Sequence, residues 1–213
     1  NSTGSSNTAV GVLALYANET ASNNTAVGYA ALKLNTTGTG NAAVGYLTLD
    51  ANTTGNANSA FGGEWTSNAS AALSGNTTGA RNSAFGTGAL AQNTTASNNT
   101  AVGYQSLYAN TTGDRMTAVG SRSGMQNTTG NYNAFFGYDS GESNTTGASN
   151  AFFGDSAGRE NTTASNNTAI GQAALLINTT GAANTAVGFQ ALAANITGAN
   201  RTAIGFESSK GSD

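Results

Sequence analysis

Asparagine is the residue of this chain whose type and spacing point most clearly to chemistry, because it recurs in the sequence Asn-x-Thr. The side-chain nitrogen of such an asparagine is the acceptor for N-linked glycans. The recurring candidates for glycosylation are Asn1, Asn18, Asn35, Asn52, Asn76, Asn93, Asn110, Asn127, Asn144, Asn161, Asn178 and Asn195, and Asn68 is a further candidate. Other Asn-x-Thr sequences begin at Asn23, Asn98, Asn166 and Asn200. In this interpretation, several surface turns carry sugars.

The same pattern also has a purely structural interpretation. Asparagine and glycine favour turns, and a β-branched threonine can pack beneath a turn. Serine never takes the third place of the recurring Asn-x-Thr set, although a glycan acceptor would tolerate it. Glycans on neighbouring coils only about 4.8 Å apart would also crowd one another. The sequence leaves both interpretations open.

Catalysis is not expected from this composition. The chain contains no His and no Cys, which removes the imidazole base, the ordinary zinc and copper ligands and any disulfide. Without His, the sequence shows no residue that could activate a serine as a nucleophile. No two carboxylates have a spacing in the sequence that would fix the distance between them, as a catalytic carboxylate pair requires. We therefore predict no enzyme activity, no cofactor and no metal site. The acidic residues Asp139, Glu142, Asp155 and Glu160 are interpreted as solvated charge, partly paired with Arg159.

Charge and hydropathy argue against two classes of partner. Seven basic and ten acidic residues give a net charge of −3, so no positive surface is available for a phosphate backbone. The longest apolar stretches, such as residues 173–177, are far shorter than the roughly 20 residues that a membrane helix requires. We expect neither nucleic-acid binding nor a membrane span.

The motif Asn-Thr-Ala-Val-Gly repeats along the whole chain. Its glycine lies at Gly11, Gly28, Gly45, Gly62, Gly86, Gly103, Gly120, Gly137, Gly154, Gly171, Gly188 and Gly205. Ten of the eleven steps are 17 residues long, and the remaining step contains a seven-residue insertion at residues 64–70. We predict a single repeat domain over residues 1–213, with repeats that begin at residues 7, 24, 41, 58, 82, 99, 116, 133, 150, 167, 184 and 201. Positions 1 to 17 of the repeat are counted from the motif asparagine, leaving out the insertion.

A repeat of this length and composition predicts a β-solenoid. One leucine and a few small residues cannot form a core alone, so each repeat must stack on its neighbours. Glycine at position 5 and usually at position 15 would cost about 1 kcal/mol each in a helix. We predict an all-β, parallel β-solenoid (a β-roll or β-helix) of about twelve coils. Stacking in register also predicts asparagine ladders at positions 1 and 12.

Within each coil we place strands by residue propensity. The segment Thr-Ala-Val-Gly-Tyr is predicted as a strand, because it contains β-branched and aromatic residues. A second short strand is predicted near the Ala-Leu pair at positions 8 and 9. The segment Asn-Thr-Thr-Gly is predicted as a turn or a third short strand.

The repeats also indicate which face of the strand is buried. Leucine at position 9 is replaced by Gly124, Gly141 and Gly158, and in two of those three coils position 3 changes from Ala to Phe135 and Phe152. Because protein interiors are densely packed, this exchange suggests that positions 3 and 9 share one interior. The opposite assignment, with the apolar position 4 inside, would leave only alanine on the surface. Either way both faces are apolar, so we expect oligomerisation along the solenoid.

Three features are candidates for recognition. Glu64 and Trp65 lie in the insertion and form a candidate recognition loop, since an exposed indole can stack on a sugar or fill a pocket. The alternative for this loop is a tolerated bulge. A threonine face could bind ice, but its column at position 2 (Thr8, Thr25, Thr100, Thr117, Thr168, Thr185 and Thr202) is interrupted by alanine and serine. Aromatic residues at position 6 are interpreted as a stack in which neighbours stabilise one another.

The repeats resemble those of known surface proteins. Residues 24–29 (Asn-Thr-Ala-Val-Gly-Tyr) and residues 99–107 each lead into Asn-Thr-Thr. They look like the tandem repeats of bacterial and phage tail-fibre-type proteins, and they are similar to the head repeats of trimeric autotransporter adhesins. The resemblance covers nearly the whole chain. It implies a β-solenoid or β-roll, often trimeric, that is exposed outside the cell or on a virion and is concerned with attachment.

Together these features lead to one expected function and one alternative. We expect a structural and adhesive segment of an extracellular fibre, built from stacked β-coils and carrying N-glycans if the acceptor interpretation holds. It would lie on a cell or virion surface and associate with itself, as a trimer or another homo-oligomer, or end to end as a filament. The alternative is a ligand-binding module for a surface glycan or for ice, which would use the Trp65 loop or a threonine face.

Overall fold

The computed structural model of the protein describes residues 2–63 and 70–209. The glycosylation candidates Asn1 and Asn68 and the recognition candidates Glu64 and Trp65 lie outside these residues. The described residues form twelve strands of three residues each and no helix. The strands are β1 (Thr8–Val10), β2 (Thr25–Val27), β3 (Ala42–Val44), β4 (Ser59–Phe61), β5 (Ser83–Phe85), β6 (Thr100–Val102), β7 (Thr117–Val119), β8 (Ala134–Phe136), β9 (Ala151–Phe153), β10 (Thr168–Ile170), β11 (Thr185–Val187) and β12 (Thr202–Ile204).

From β1 to β6 and from β7 to β12, each strand pairs in parallel with the equivalent strand of the next repeat. In the first pair, for example, Thr8 is opposite Thr25 and Ala9 is opposite Ala26. The pairing from β7 onward follows the same rule, with Thr117 opposite Ala134. One repeat is therefore one coil, and the predicted all-β, parallel β-solenoid is confirmed.

The contacts divide the solenoid into two compact units. The first covers Asn1–Thr112 and contains β1 to β6, and the second covers Gly113–Asp213 and contains β7 to β12. In each unit the strands stack in the order of the sequence.

The seven-residue insertion does not change the register of the first unit. β4 precedes the insertion and β5 belongs to the next coil, yet Ser59 still lies opposite Ser83. The backbone N–H of Ala72 donates to the carbonyl oxygen of Gly62 at 2.8 Å. The equivalent bond closes the same turn in coils that have no insertion.

Glycine at position 5 ends each strand because only glycine fits there. Gly86, for example, has a φ of +131°, and a Cβ built on it would lie 2.6 Å from the carbonyl oxygen of Gly103 in the next coil. A side chain would therefore strain the backbone and collide with the neighbouring coil.

The predicted second strand is wrong, because the segment after this glycine is a series of tight turns. In the coil that begins at residue 24, the N–H of Ala31 donates to Gly28 and that of Asn35 to Leu32, each across three residues. Ala30 and Leu32 have φ values of +55° and +51°, which is the backbone shape that ordinarily marks glycine or asparagine. Asn-Thr-Thr-Gly forms bends, as the turn interpretation predicted.

The interior contains positions 3 and 9, as the exchange of Leu for Phe predicted. Alanine at position 3 and leucine at position 9 are buried in almost every coil, and Phe135 and Phe152 are fully buried. A Cβ on Gly141 would lie 2.8 Å from the ring of Phe135, and one on Gly158 would collide with Phe152. The phenylalanines thus fill the space that the leucine side chains vacate, and the assignment of position 4 to the interior is wrong.

Candidate functional site: asparagine ladders and the outer surface of the coil

The position-12 asparagines, which head the recurring Asn-x-Thr set, line the interior of the coil. Each of those that the structure describes, from Asn18 to Asn195, is at most 1% exposed. The Nδ2 of Asn52 shows how they are held: it donates to the Oδ1 of Asn35 in the preceding coil at 2.8 Å and to the carbonyl oxygen of Gly55 at 3.1 Å. The amide ladder predicted for position 12 is confirmed.

This ladder occupies the nitrogen atom to which a glycan would be attached. Eight of the asparagines donate both N–H groups of Nδ2 in this way: Asn35, Asn52, Asn76, Asn93, Asn144, Asn161, Asn178 and Asn195. A sugar on Nδ2 would have to displace buried hydrogen bonds and would find no room in the packed interior. The geometry therefore favours the structural interpretation of these Asn-x-Thr sequences over the glycan-acceptor interpretation.

The threonine that follows most of these asparagines, at position 13, has a structural role of its own. The backbone N–H groups of Thr36, Thr37 and Gly38 all point to the carbonyl oxygen of Thr53, at 2.9, 3.2 and 3.4 Å. The hydroxyl of Thr36 donates to the same oxygen at 3.0 Å. One carbonyl thus receives four donors from the preceding coil, and the hydroxyl, the only one that depends on residue type, explains why threonine is favoured at position 13.

The position-1 asparagines form a second ladder of a different kind. The backbone N–H of Asn41 donates to the Oδ1 of Asn24 at 2.9 Å, and the Nδ2 of Asn24 donates to the carbonyl oxygen of Gly38 in its own coil, also at 2.9 Å. This ladder joins side chain to backbone, whereas the sequence predicted amide to amide. Met116 replaces the asparagine in one coil and is also buried.

The outer surface of the coil carries apolar side chains at position 4. Each is at least partly exposed, and Val10, Phe61, Phe85, Val102, Phe153, Ile170 and Ile204 are between 37% and 71% exposed. The rings of Phe61 and Phe85 stack at 4.9 Å, and those of Phe136 and Phe153 at 4.7 Å. In each unit, position 4 therefore forms a continuous strip of apolar surface, the outer strip.

Aromatic side chains at position 6 form stacks, as predicted. Tyr29 stacks on Tyr46, and Phe189 stacks on Phe206, both with ring centroids 5.2 Å apart. Tyr29, Tyr104, Tyr138, Phe189 and Phe206 are all exposed.

Charged residues of the second unit pair with one another. Arg122 binds the carboxylate of Asp139 through two hydrogen bonds of 2.8 and 2.6 Å, and Asp139 is only 4% exposed. The hydrogen bonds that Arg122 donates to Asp139 raise the pKa of Arg122 above its usual value. The carboxylate of Glu142 lies 3.7 Å from both Arg122 and Arg159, and Arg159 contacts Glu160 at 3.0 Å. The predicted pairing with Arg159 is confirmed, whereas the interpretation of Asp139 as solvated charge is wrong, because Asp139 is buried and paired with Arg122.

Threonine at position 14 forms an exposed surface column, which the sequence analysis discounted because the threonines at positions 13 and 14 would point to opposite faces of an extended segment. The residue is threonine in all eleven coils from Thr20 to Thr197, and it is exposed in each of them. Within the described residues, its hydroxyl makes no hydrogen bond. The sequence signal for this column is that position 14 is the same residue in every coil. By contrast, the position-2 threonines are only partly exposed in most coils, and alanine or serine interrupts them.

The described acidic residues form no cluster of three or more that could hold a metal ion. In the same part of the chain, no helix is long and apolar enough to cross a membrane.

Comparison with known proteins gives no significant match to a family model, to a curated protein or to a solved structure.

Proposed function

We propose that this protein is a structural and adhesive segment of an extracellular fibre, and we assign it no catalytic role. The observation that carries the proposal is the repetition of the same bonds from coil to coil. Interior ladders hold the coils together, while the outer surface presents the same few side chains at a constant spacing. Such an arrangement suits a load-bearing element with many equivalent contact points.

The bonds between two coils support the mechanical part of the proposal. Between the coils that begin at residues 24 and 41, backbone N–H groups of Thr25, Leu32 and Leu34 donate to carbonyl oxygens of the next coil at 2.8 to 3.1 Å. The Asn35 to Asn52 amide bond and the four donors on Thr53 reinforce the same interface. Because all these bonds run along the stacking direction, a force that separates two coils must break many of them together.

The outer strip supports the proposal that several copies of the chain associate. A row of half-exposed Val, Phe and Ile side chains is unusual on an isolated soluble chain and is typical of an interaction surface. Its side chains are all uncharged, and its spacing is that of the coil, so a second copy of the strip can pack against it in register. We propose that the chain forms a homo-oligomer, such as a trimer, through this strip.

The threonines at position 14 support a second candidate function, a ligand-binding surface. Their exposed hydroxyls recur at every coil, about 4.8 Å apart, and can bind an ordered array of partners such as sugar hydroxyls or the water of an ice surface. Repeated weak contacts of this kind gain strength through avidity, by roughly 10² to 10⁴ for linked sites. The adhesive part of the main proposal can use the same contacts.

The test of self-association compares two substitutions in one coil. Phe85→Lys places a charge in the outer strip, and Thr95→Lys places the same charge at position 14 of the same coil. We expect multi-angle light scattering to show an oligomer for the natural chain and for Thr95→Lys, and a smaller species for Phe85→Lys. A natural chain that is monomeric at every concentration, or two variants that behave alike, would contradict the proposal.

The test of the second function uses the insertion and the threonines separately. Deletion of residues 64–70 leaves assembly intact if the protein is a fibre segment, and it abolishes capture of a surface glycan if the Trp65 loop is the binding site. Replacement of Thr78 and Thr95 by valine keeps the shape and removes two hydroxyls. A loss of glycan or ice binding in this variant alone would assign the ligand to the threonine face.

A further inference from the structure

We propose that, among the residues that the structure describes, the N-glycan acceptors of the folded protein are the four asparagines at position 17: Asn23, Asn98, Asn166 and Asn200. The inference rests on the proposed extracellular function, because only an exported chain meets the glycosylation machinery. It assigns the sugars to a different set of residues from the recurring Asn-x-Thr sequences.

The four side chains are accessible, in contrast to those at position 12. All four residues are exposed, with φ values of +62°, +62°, +62° and +58° at a corner of the coil. Their backbones are held by the preceding coil; for example, the N–H of Asn23 donates to Ser5 at 3.0 Å and that of Asn98 to Ala80 at 3.0 Å. The structure shows no hydrogen bond from their side-chain amides to any described residue. Each Nδ2 is therefore free for modification on a rigid support.

The sequence around these asparagines points to the same role. Each is followed two residues later by a threonine that opens a strand: Thr25, Thr100, Thr168 and Thr202. Position 17 also accepts Ser, Gly, Ala, Arg and Tyr at positive φ, so the backbone does not require asparagine there. Position 2 is threonine in only seven of twelve coils, yet no asparagine at position 17 precedes the alanines or serines found in the other five. Asparagine thus occurs here only where Asn-x-Thr is complete.

The spacing of the four sites leaves room for sugars. Asn23 and Asn98 lie four coils apart in the first unit, which corresponds to about 19 Å at the usual distance between strands. Asn166 and Asn200 lie two coils apart in the second unit, or about 10 Å. Glycans at these distances can stand side by side, whereas acceptors at every coil would crowd one another.

The chemistry requires an activated sugar and a transferase that the exported chain would meet. The Nδ2 of asparagine forms a bond to the anomeric carbon of an oligosaccharide carried on a polyprenyl diphosphate. The bond from that carbon to the diphosphate oxygen breaks, the diphosphate leaves, and Nδ2 loses one proton. No atom changes its oxidation state. The threonine at position 2 supplies the hydroxyl that defines the acceptor sequence.

The test maps sugars on the folded chain after secretion from a eukaryotic cell that performs N-glycosylation. Treatment with a glycan-releasing amidase in ¹⁸O water converts each occupied asparagine to labelled aspartate, which peptide mass spectrometry locates. We expect label at Asn23, Asn98, Asn166 and Asn200 and none at the position-12 residues from Asn18 to Asn195. Sugar on none of the four, or on position 12 of folded material, would overturn the inference.

Matched variants separate the acceptor role from a structural one. Thr25→Ser keeps an acceptor sequence at Asn23 and should keep its sugar, whereas Thr25→Ala should lose it. Replacing the four asparagines by glutamine should remove the sugar from position 17 and leave the circular dichroism spectrum and the oligomeric state unchanged. Self-association without sugar would overturn only this inference, and sugar at the four sites on a monomer would overturn only the proposal of a self-associating fibre.

Discussion

Phe152 and Phe153 are neighbours in one strand, yet one is fully buried and the other is 39% exposed. The same contrast separates Asn93 and Asn98 of another coil, which lie in the interior and on the surface. In both pairs the residue type is identical, and only the position in the repeat differs. The comparison teaches that, in this solenoid, a residue's role is set by its position in the 17-residue period and cannot be read from its local motif.

The largest effect is expected from the two phenylalanines. Phe152→Ala empties the interior next to Gly158 and should lower the free energy of unfolding by about 4 kcal/mol, whereas Phe153→Ala on the surface should cost about 1 kcal/mol or less. Adding Gly158→Leu to Phe152→Ala restores the usual pattern of the repeat, because Leu175 of the next coil has the same backbone shape. Urea denaturation of the three variants measures these changes in the free energy of unfolding. Equal losses at Phe152 and Phe153 would contradict the assignment of inside and outside.

The two asparagines of one coil provide the second test. Asn93→Ala removes the donor to Asn76 and to Ala96 and the acceptor for Asn110. Leaving these buried groups unpaired should cost about 3 kcal/mol. Asn98→Ala should cost at most about 1 kcal/mol, since alanine already occupies position 17 at Ala57 and Ala183. The midpoints of denaturation compare the two variants, and a larger loss for Asn98→Ala would refute a structural role for the ladder.

The charged residues of the second unit should show the same dependence on burial. The expected changes in the free energy of unfolding are smaller. Arg122→Met leaves the buried carboxylate of Asp139 without its two hydrogen bonds and should cost about 2 kcal/mol. Arg159→Met breaks contacts at the surface and should cost about 0.5 kcal/mol or less. Thermal unfolding at low and high salt distinguishes them, because only the exposed pair is screened. A loss for Arg159→Met that equals the loss for Arg122→Met would show that burial does not decide the strength of these pairs.

Asp50 is partly buried, between the buried and the exposed positions compared above. Its substitution should have the smallest effect on the free energy of unfolding. Burial raises the pKa of Asp50 above 3.8, although Lys33 and two backbone hydrogen bonds oppose the shift. The folded chain thus binds a proton more tightly than the unfolded chain, so this residue's contribution to stability falls as the pH rises from 3.8 through the raised pKa and is constant above it. Asp50→Asn should remove this slope and raise stability at neutral pH by about 0.5 kcal/mol or less. Denaturation from pH 3 to 7, with Glu19→Gln as the exposed control, tests the sign.

The sequence was sufficient to predict the fold class and the register, because both follow from the repeat length. It also predicted the buried face, since Phe135 and Phe152 appear where leucine is lost. It failed at the turns of positions 7 and 9: residues such as Ala30 and Leu32 give no signal for a positive φ, and bonds to neighbouring coils stabilise a shape that their own propensity disfavours.

The roles of the asparagines were harder to predict, because both sets carry the same Asn-x-Thr sequence. Burial depends on where each position falls in the closed coil, which the motif does not encode. The pairing of Arg122 with Asp139 was missed for a different reason. The two residues are 17 apart and both occupy position 7, so stacking in register places them side by side; this signal appears only when equivalent positions are compared.

The turn that closes between Gly62 and Ala72 makes this corner of the coil a natural place to add sequence. Because the chain leaves and returns at the ends of one hydrogen bond of 2.8 Å, the adjoining strands β4 and β5 keep their pairing although seven extra residues lie between them. Evolution can therefore vary a loop here, and an engineer can graft a peptide here, without redesigning the scaffold on either side.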